Sequence, residues 1–250
     1  MSFDLERIVA QLPDRTVVPV HDVDIRLSDE QHPFEAANAE AIAANWEREV
    51  TANPRLFNGR MVLPNVVRLE EGILAGTSHE IDFATFLYWR RQAERGSGFH
   101  LFGYAILVAA DGALVAGRMG RHTANAGKVY FAAGSFEPGD FVDGRMSFRA
   151  NTFREVREET GLDLAVAREE GSFGLLRAGR SVLLFRRYFL PDDADTIARS
   201  IAAHIAADPD PEIVEPVIIR DAAMNEPTVA HMPPLLQWHF SGGRLGRPGP

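Results

Sequence analysis

Nine residues carry the clearest chemistry in this chain: Arg154-Glu155-Val156-Arg157-Glu158-Glu159-Thr160-Gly161-Leu162. Their order, R-E-aliphatic-x-E-E-x-G-aliphatic, arises at average residue frequencies in roughly one chain of this length in 10^5, so the run calls for a reason. Glu155, Glu158 and Glu159 stand at i, i+3 and i+4, and a helix gathers such residues on one side. Three carboxylates so close repel one another unless cations lie among them, and all-oxygen ligands suit Mg2+ or Mn2+. At ~100° per residue, Phe148, Thr152, Phe153 and Val156 form an apolar arc beside the acidic one. The helix can then dock on a sheet while its carboxylates point along a groove. Ser147 as N-cap and Gly161 as the C′ residue bound a helix of about fourteen residues. A solvated helix held by Glu–Arg pairs, such as Arg154 with Glu158, explains the charges but not the apolar arc.

The run resembles the second half of the signature of the Nudix hydrolases. In that family a glycine, five residues and a glutamate come first, followed by a seven-residue spacer to the arginine. Here Gly134-Ser135-Phe136-Glu137-Pro138-Gly139-Asp140 has the glycine and the spacing but ends in aspartate. Residues 141 to 153, thirteen in number, then precede Arg154, six more than the family pattern has. A longer loop, Phe141-Val142-Asp143-Gly144-Arg145-Met146, accommodates them at little cost in free energy. Aspartate is one methylene shorter than glutamate. Asp140 is therefore placed as a metal ligand, as a contact through a metal-bound water, or as a structural residue of the turn.

The resemblance implies hydrolysis of a nucleoside diphosphate joined to a group X, releasing a nucleoside monophosphate and phosphorylated X. It implies Glu158 and Glu159 as principal ligands of Mg2+ or Mn2+. Glu155 would bind metal and, as in some members, take a proton from the attacking water. Arg154 would orient Glu158. Some relatives add a general base from a later loop; Glu212, Glu215 and Asp221 are the candidates, with Glu212 preferred. Arg118, Arg121 and Lys128 are the cations that could clasp phosphate, or else belong to a solvated face. For X the order of preference is a nucleotide sugar, then ADP-ribose, then coenzyme A or a dinucleotide. The rival reading is a nucleotide-binding or sensor module that keeps the fold and has lost turnover, supported by Asp140 and the lengthened spacer.

The chain has 250 residues, of which 46% are hydrophobic, enough to bury one good core and a second smaller one. A net charge of −9 without a basic tail argues against nucleic acid as a partner. Bound divalent ions would supply the positive charge that a phosphate substrate needs. Lys128 is the only lysine, so arginine carries nearly all the basic character. No apolar run approaches the ~20 residues of a membrane helix, and the acidic start Met1-Ser2-Phe3-Asp4-Leu5-Glu6-Arg7 lacks a signal-peptide core. With no cysteine, disulfides and thiolate metal sites are excluded. These features point to the cytoplasm, and the resemblance implies an enzyme with a small-molecule substrate, as a monomer or a homodimer. The histidines show no H-E-x-x-H spacing and no P-loop occurs.

The expected fold is α/β: a Nudix α/β/α sandwich with a mixed sheet at 99–241, a small α/β subdomain at 1–98, and a flexible tail at 242–250. Strand-like alternation at 14–28 precedes a long helix at 33–52 with Pro33 at its start, strand pieces at 61–76, and a helix from Phe83 closed near Gly96-Ser97-Gly98. Asp111-Gly112 turns a hairpin, and Lys128 to Ala133 reads as a strand entering the glycine turn. Strands follow around 164–176 and 181–190, then a helix to Ala207, a strand Ile213–Ile219 and a last helix at 228–240. The aromatic residues of the first hundred read as a packed core rather than a cofactor box. Around Leu56-Phe57-Asn58-Gly59 and Asp82-Phe83 they distantly resemble the extension of the animal Nudix enzyme that cleaves UDP-glucose.

Overall fold

A computed structural model describes residues 11–92, 100–123, 125–179 and 181–246. The chain divides into two compact units that interleave along the sequence. One comprises 14–21, 102–134 and 148–250, the other 1–13, 22–101 and 135–147. The expected boundary near residue 98 falls among residues outside the described set.

The larger unit is built on an eight-stranded sheet. Its strands are β1 (Val17–Val20), β5 (His100–Val108), β6 (Leu114–Met119), β7 (Val129–Tyr130), β10 (Arg168–Glu169), β11 (Phe173–Ala178), β12 (Ser181–Phe189) and β13 (Ile213–Ile219). The order is β1-β11-β12-β5-β6-β13, with β10 beside β12 and β7 beside β6. Its helices are α3 (Phe148–Thr160), α4 (Ala194–Ala207) and α5 (Met232–Phe240). Strands β5 and β12 are buried along most of their length because both faces of the sheet are covered. Successive β12 side chains alternate between the faces. Tyr188 bonds Thr152 of α3 on one face, while Phe185 meets Trp238 of α5 edge-on on the other, at 5.3 Å between centroids. A helix thus lies on each side of the sheet, and the α/β class read from the sequence is what the chain adopts.

The smaller unit has β2 (Asp22–Ser28), α1 (Pro33–Ala52), β3 (Arg60–Glu70), β4 (Ile73–Asp82), α2 (Phe83–Arg91), β8 (Phe141–Val142) and β9 (Arg145–Met146). The sheet order is β3-β4-β2-β9-β8, mixed because β2 and β4 run parallel. Phe34, Ile42, Met61, Leu63, Ile81, Phe86 and Trp89 form one buried cluster. The aromatic residues here do pack a core.

Four segments differ from their expected form. The six residues 141–146 are not an open loop but the hairpin β8–β9, and β9 joins the sheet through Arg26↔Arg145. Both turn residues, Asp143 (φ 50°) and Gly144 (φ 72°), take the left-handed conformation that a tight hairpin turn demands. The strand expected over Lys128–Ala133 shortens to β7, because only Val129 and Tyr130 find partners on β6. At 164–166 a 3-10 turn, capped by Asp163 on Ala165 N, stands in place of strand. Beyond α5, Leu245 is buried and the Gly246 carbonyl accepts from Ser172 Oγ at 2.6 Å, so the tail is packed as far as it is described.

Candidate functional site

Helix α3 begins directly after Ser147 and runs for 13 residues. Its buried side chains are Phe148, Asn151, Thr152, Glu155, Val156 and Thr160. Phe153, expected on the apolar arc, is half-buried with the Arg149 guanidinium 3.8 Å above its ring. Gly161 ends the helix as expected, with φ +71° and its N–H donating to the Arg157 carbonyl at 3.0 Å. The His204 ring of α4 covers Gly161, and its Nε2 bonds the Glu158 carbonyl at 3.0 Å. A side chain at 161 would meet that ring as well as the backbone strain.

The three glutamates of the motif fall on one flank of α3 but in different surroundings. Glu158 is exposed. Glu155 is only 8% exposed, and its carboxylate lies directly against Gly134. Glu159 is half-buried; Oε1 accepts from the Ala133 N–H at 3.2 Å, whereas Oε2 is sealed from solvent without a hydrogen-bond partner. Burial pushes the Glu159 carboxyl well above its usual range, and the charges of Glu155, Glu212 and Glu158 push it further. Behind it, Tyr104 is wholly buried and hydrogen-bonded to His231 Nε2. Burial holds His231 near a pKa of about 4, so that ring is neutral and contributes no compensating charge.

Arg154 is the one cation of the motif that reaches these acids. Its Nη1 lies 2.7 Å from Glu155 Oε1 and 3.3 Å from Glu158 Oε2. Among the described residues, no three His, Asp or Glu side chains converge closely enough to enclose an ion. The donor chemistry nonetheless fits a hard divalent cation: all oxygen, several negative charges, and one buried oxygen lacking a partner.

The remaining candidates separate by their partners. Glu212 stands just before β13, its carbonyl bound by Gly120 N at 2.7 Å, and its charge is felt at both Glu159 and Tyr130. Glu215 is bonded to Arg118 Nε at 2.6 Å, and Asp221 accepts from Ala223 N at 2.7 Å. Of the three base candidates, Glu212 is the one whose charge reaches the acidic cluster. Arg118 also holds Glu226 at 3.1 Å, so its fork ties β6 to β13 and to the segment before Pro227. Arg121 is exposed and Lys128 half-buried. Asp140 belongs to the smaller unit, where it is buried and its Oδ2 accepts from Glu137 N at 2.9 Å in a reciprocal cap.

Two contributors escaped the sequence reading. The Ala133 N–H is a backbone donor and has no sequence signal. The buried Tyr104–His231 pair joins residues 127 positions apart, which no local pattern announces.

No family model matches this chain, and no curated protein matches it. Some solved structures are similar in part. DR0079 from Deinococcus radiodurans is 14% identical over 73% of this chain and 99% of its own, with a TM-score of 0.42. A NUDIX hydrolase from Nitrosomonas europaea is 15% identical over 72% and 89%, with a TM-score of 0.38. The E. coli ORF135 protein is 20% identical over 56% and 88%, with a TM-score of 0.35. With every TM-score below 0.5, these likenesses decide neither fold nor function, which rest on the residues themselves. No described helix is long and apolar enough to cross a membrane.

Proposed function

We propose that the chain is a Nudix-type hydrolase dependent on Mg2+ or Mn2+. It would cleave the diphosphate of a nucleoside diphosphate derivative to a nucleoside monophosphate and phosphorylated X. The observation that carries this reading is Glu159 Oε2, a buried oxygen without a partner on a carboxyl whose pKa the charges of Glu155, Glu212 and Glu158 also raise. A buried carboxylate oxygen left in this state is costly unless a cation joins it.

Glu155, Glu158 and Glu159 would hold the ions. Asp140, committed to the Glu137 N–H, is read as holding its own turn. A divalent cation held by these three glutamates would supply the charge to neutralise the diphosphate and to lower the pKa of the attacking water. The chain's own groups do the rest. Gly134 leaves room for the Glu155 carboxylate, the Ala133 N–H fixes Glu159, and Arg154 steers Glu155 and Glu158. Glu212 takes the proton of the water as its oxygen bonds to phosphorus and the bond to the leaving phosphate breaks. Arg121 and Lys128 are the cations left to meet phosphate, since Arg118 is held by Glu215 and Glu226. A nucleotide sugar is the preferred substrate and the cytoplasm the preferred compartment.

Arg154 bridging Glu155 and Glu158 favours one second reading, a nucleotide-binding module in which this arginine takes the place of the cation. A panel of nucleotide sugars, ADP-ribose, coenzyme A and dinucleotides, assayed with and without Mg2+ and with products identified by mass, separates the two. Metal-dependent release of a nucleoside monophosphate supports the hydrolase; binding without turnover of any of them sinks it.

A further inference from the structure

Only two of the six buried side chains of α3, Phe148 and Val156, are wholly apolar. A helix that gathers mutually repelling carboxylates therefore docks with little hydrophobic area to hold it. Its N-terminal half is instead tied down by polar contacts that the chemistry does not use. Thr152 Oγ1 donates to the Phe148 carbonyl at 2.9 Å, which leaves its lone pairs to accept from Tyr188 Oη at 3.1 Å. Both residues are buried, Tyr188 entirely. Beside them, the Glu169 carboxylate of β10 bridges Arg149 of α3 and Arg186 of β12, the latter at 2.8 Å. Each guanidinium also lies on an aromatic face, Arg149 on Phe153 at 3.8 Å and Arg186 on Phe173 at 3.9 Å. Phe153 in turn meets Tyr188 edge-on at 6.0 Å. Helix, short strand and central strand are locked together at one point.

We propose that Tyr188, Thr152 and the Arg149–Glu169–Arg186 bridge form a latch that sets the position of α3 on the sheet, and through it the placing of Glu155 and Glu159 one to two turns away. None of these residues belongs to the proposed ligand set; they are positioning residues, and their role rests on the metal-binding reading of the helix. The physical reason is leverage. A rigid helix carries a rotation at Thr152 undiminished to Glu155 and Glu159, and ligand sets tolerate only small displacements. The apolar anchors alone leave rotation about the helix axis weakly defined.

The test is a cycle of Tyr188→Phe, Thr152→Val and their double variant, with Glu159→Gln as the reference for loss of a ligand. Mn2+ affinity is read by the free-ion EPR signal, and hydrogen exchange is followed in the peptide 153–160. Each single variant is expected to stay folded and to weaken Mn2+ binding about tenfold, with the double variant no weaker than Tyr188→Phe, which already loses the bond to Thr152 together with the one to Arg186. Exchange is expected to rise in 153–160 while the rest of the sheet is unchanged. Unchanged affinity and exchange in Tyr188→Phe overturn the latch. If the wild type and Glu159→Gln bind Mn2+ equally poorly, the metal reading fails instead, and the exchange data alone judge the latch. Should Thr152→Val fail to fold, Glu169→Gln, which weakens the bridge at a half-buried carboxylate, takes its place as a single variant with the same expected loss of affinity and rise in exchange.

Discussion

Gly134 and the Glu155 carboxylate occupy adjoining space: a Cβ built at 134 would overlap the carboxyl group, with Oε2 at 2.5 Å. The backbone of Gly134 is not left-handed, so the glycine is required by the close approach and not by φ. Gly134→Ala should therefore displace Glu155 and destabilise by about 1–3 kcal/mol through overpacking. Glu155→Ala in the same background should return most of that stability without restoring turnover. Thermal unfolding of the two single variants and the double variant checks this; additive losses would show that the two residues do not compete for space.

Glu159 is held in a setting that opposes its own charge. Glu159→Gln should raise Tm in the presence of chelator, because a buried, repelled carboxylate is replaced by a neutral amide of the same shape. The wild type should gain about 2.7 kcal/mol from Mn2+ at a hundredfold excess over Kd, and the variant almost none. A scan with and without Mn2+ measures both. Equal Mn2+ stabilisation of the two proteins would remove Glu159 from the ligand set.

Glu212 and Glu215 stand three positions apart in sequence yet should behave differently. Glu212→Gln is expected to lower kcat by about 10²–10⁴, with Tm unchanged because the residue is exposed. Glu215→Gln should leave kcat near normal and loosen the Arg118 tie, for a cost of about 0.2–1 kcal/mol. A pH–rate profile for each variant discriminates them; loss of the acidic limb in Glu215→Gln and not in Glu212→Gln would reverse the assignment.

His32 makes the smaller unit sensitive to acid. Its Nδ1 accepts from the Phe34 N–H at 3.1 Å, capping α1, and its ring stands edge-on to His79 at 5.3 Å. Burial, and secondarily the neighbouring His79, lower its pKa from 6.5 to about 4. The unfolded chain therefore binds the proton first, so stability is present above pH 6.5 and lost as pH falls toward 4. The loss amounts to about 3 kcal/mol. His32→Asn keeps a capping acceptor that cannot titrate, and should flatten Tm against pH across that window. An unchanged slope would assign the acid sensitivity elsewhere.

Much of the helix that carries the site was legible because its determinants are local. The i, i+3, i+4 glutamates, the positive-φ glycine at 161 and the strand Ile213–Ile219 follow from spacing and backbone preference, and each stands where the chain order puts it. The hairpin at Asp143-Gly144 has a local signal too, a D-G pair between short runs, but the lengthened spacer by itself predicts only a longer loop over 141–146.

What the sequence determined by itself was the inventory: an α/β chain, three carboxylates on one helical flank, and no thiol or P-loop chemistry. Only the tertiary structure decided which of these groups face one another. It placed Gly134 against Glu155, sealed one oxygen of Glu159, turned Arg118 toward Glu215 and Glu226, and set Tyr188 beneath Thr152. Those pairings join residues from 21 to more than 100 positions apart. Their energies depend on distance and burial, which strand order fixes and chain spacing does not.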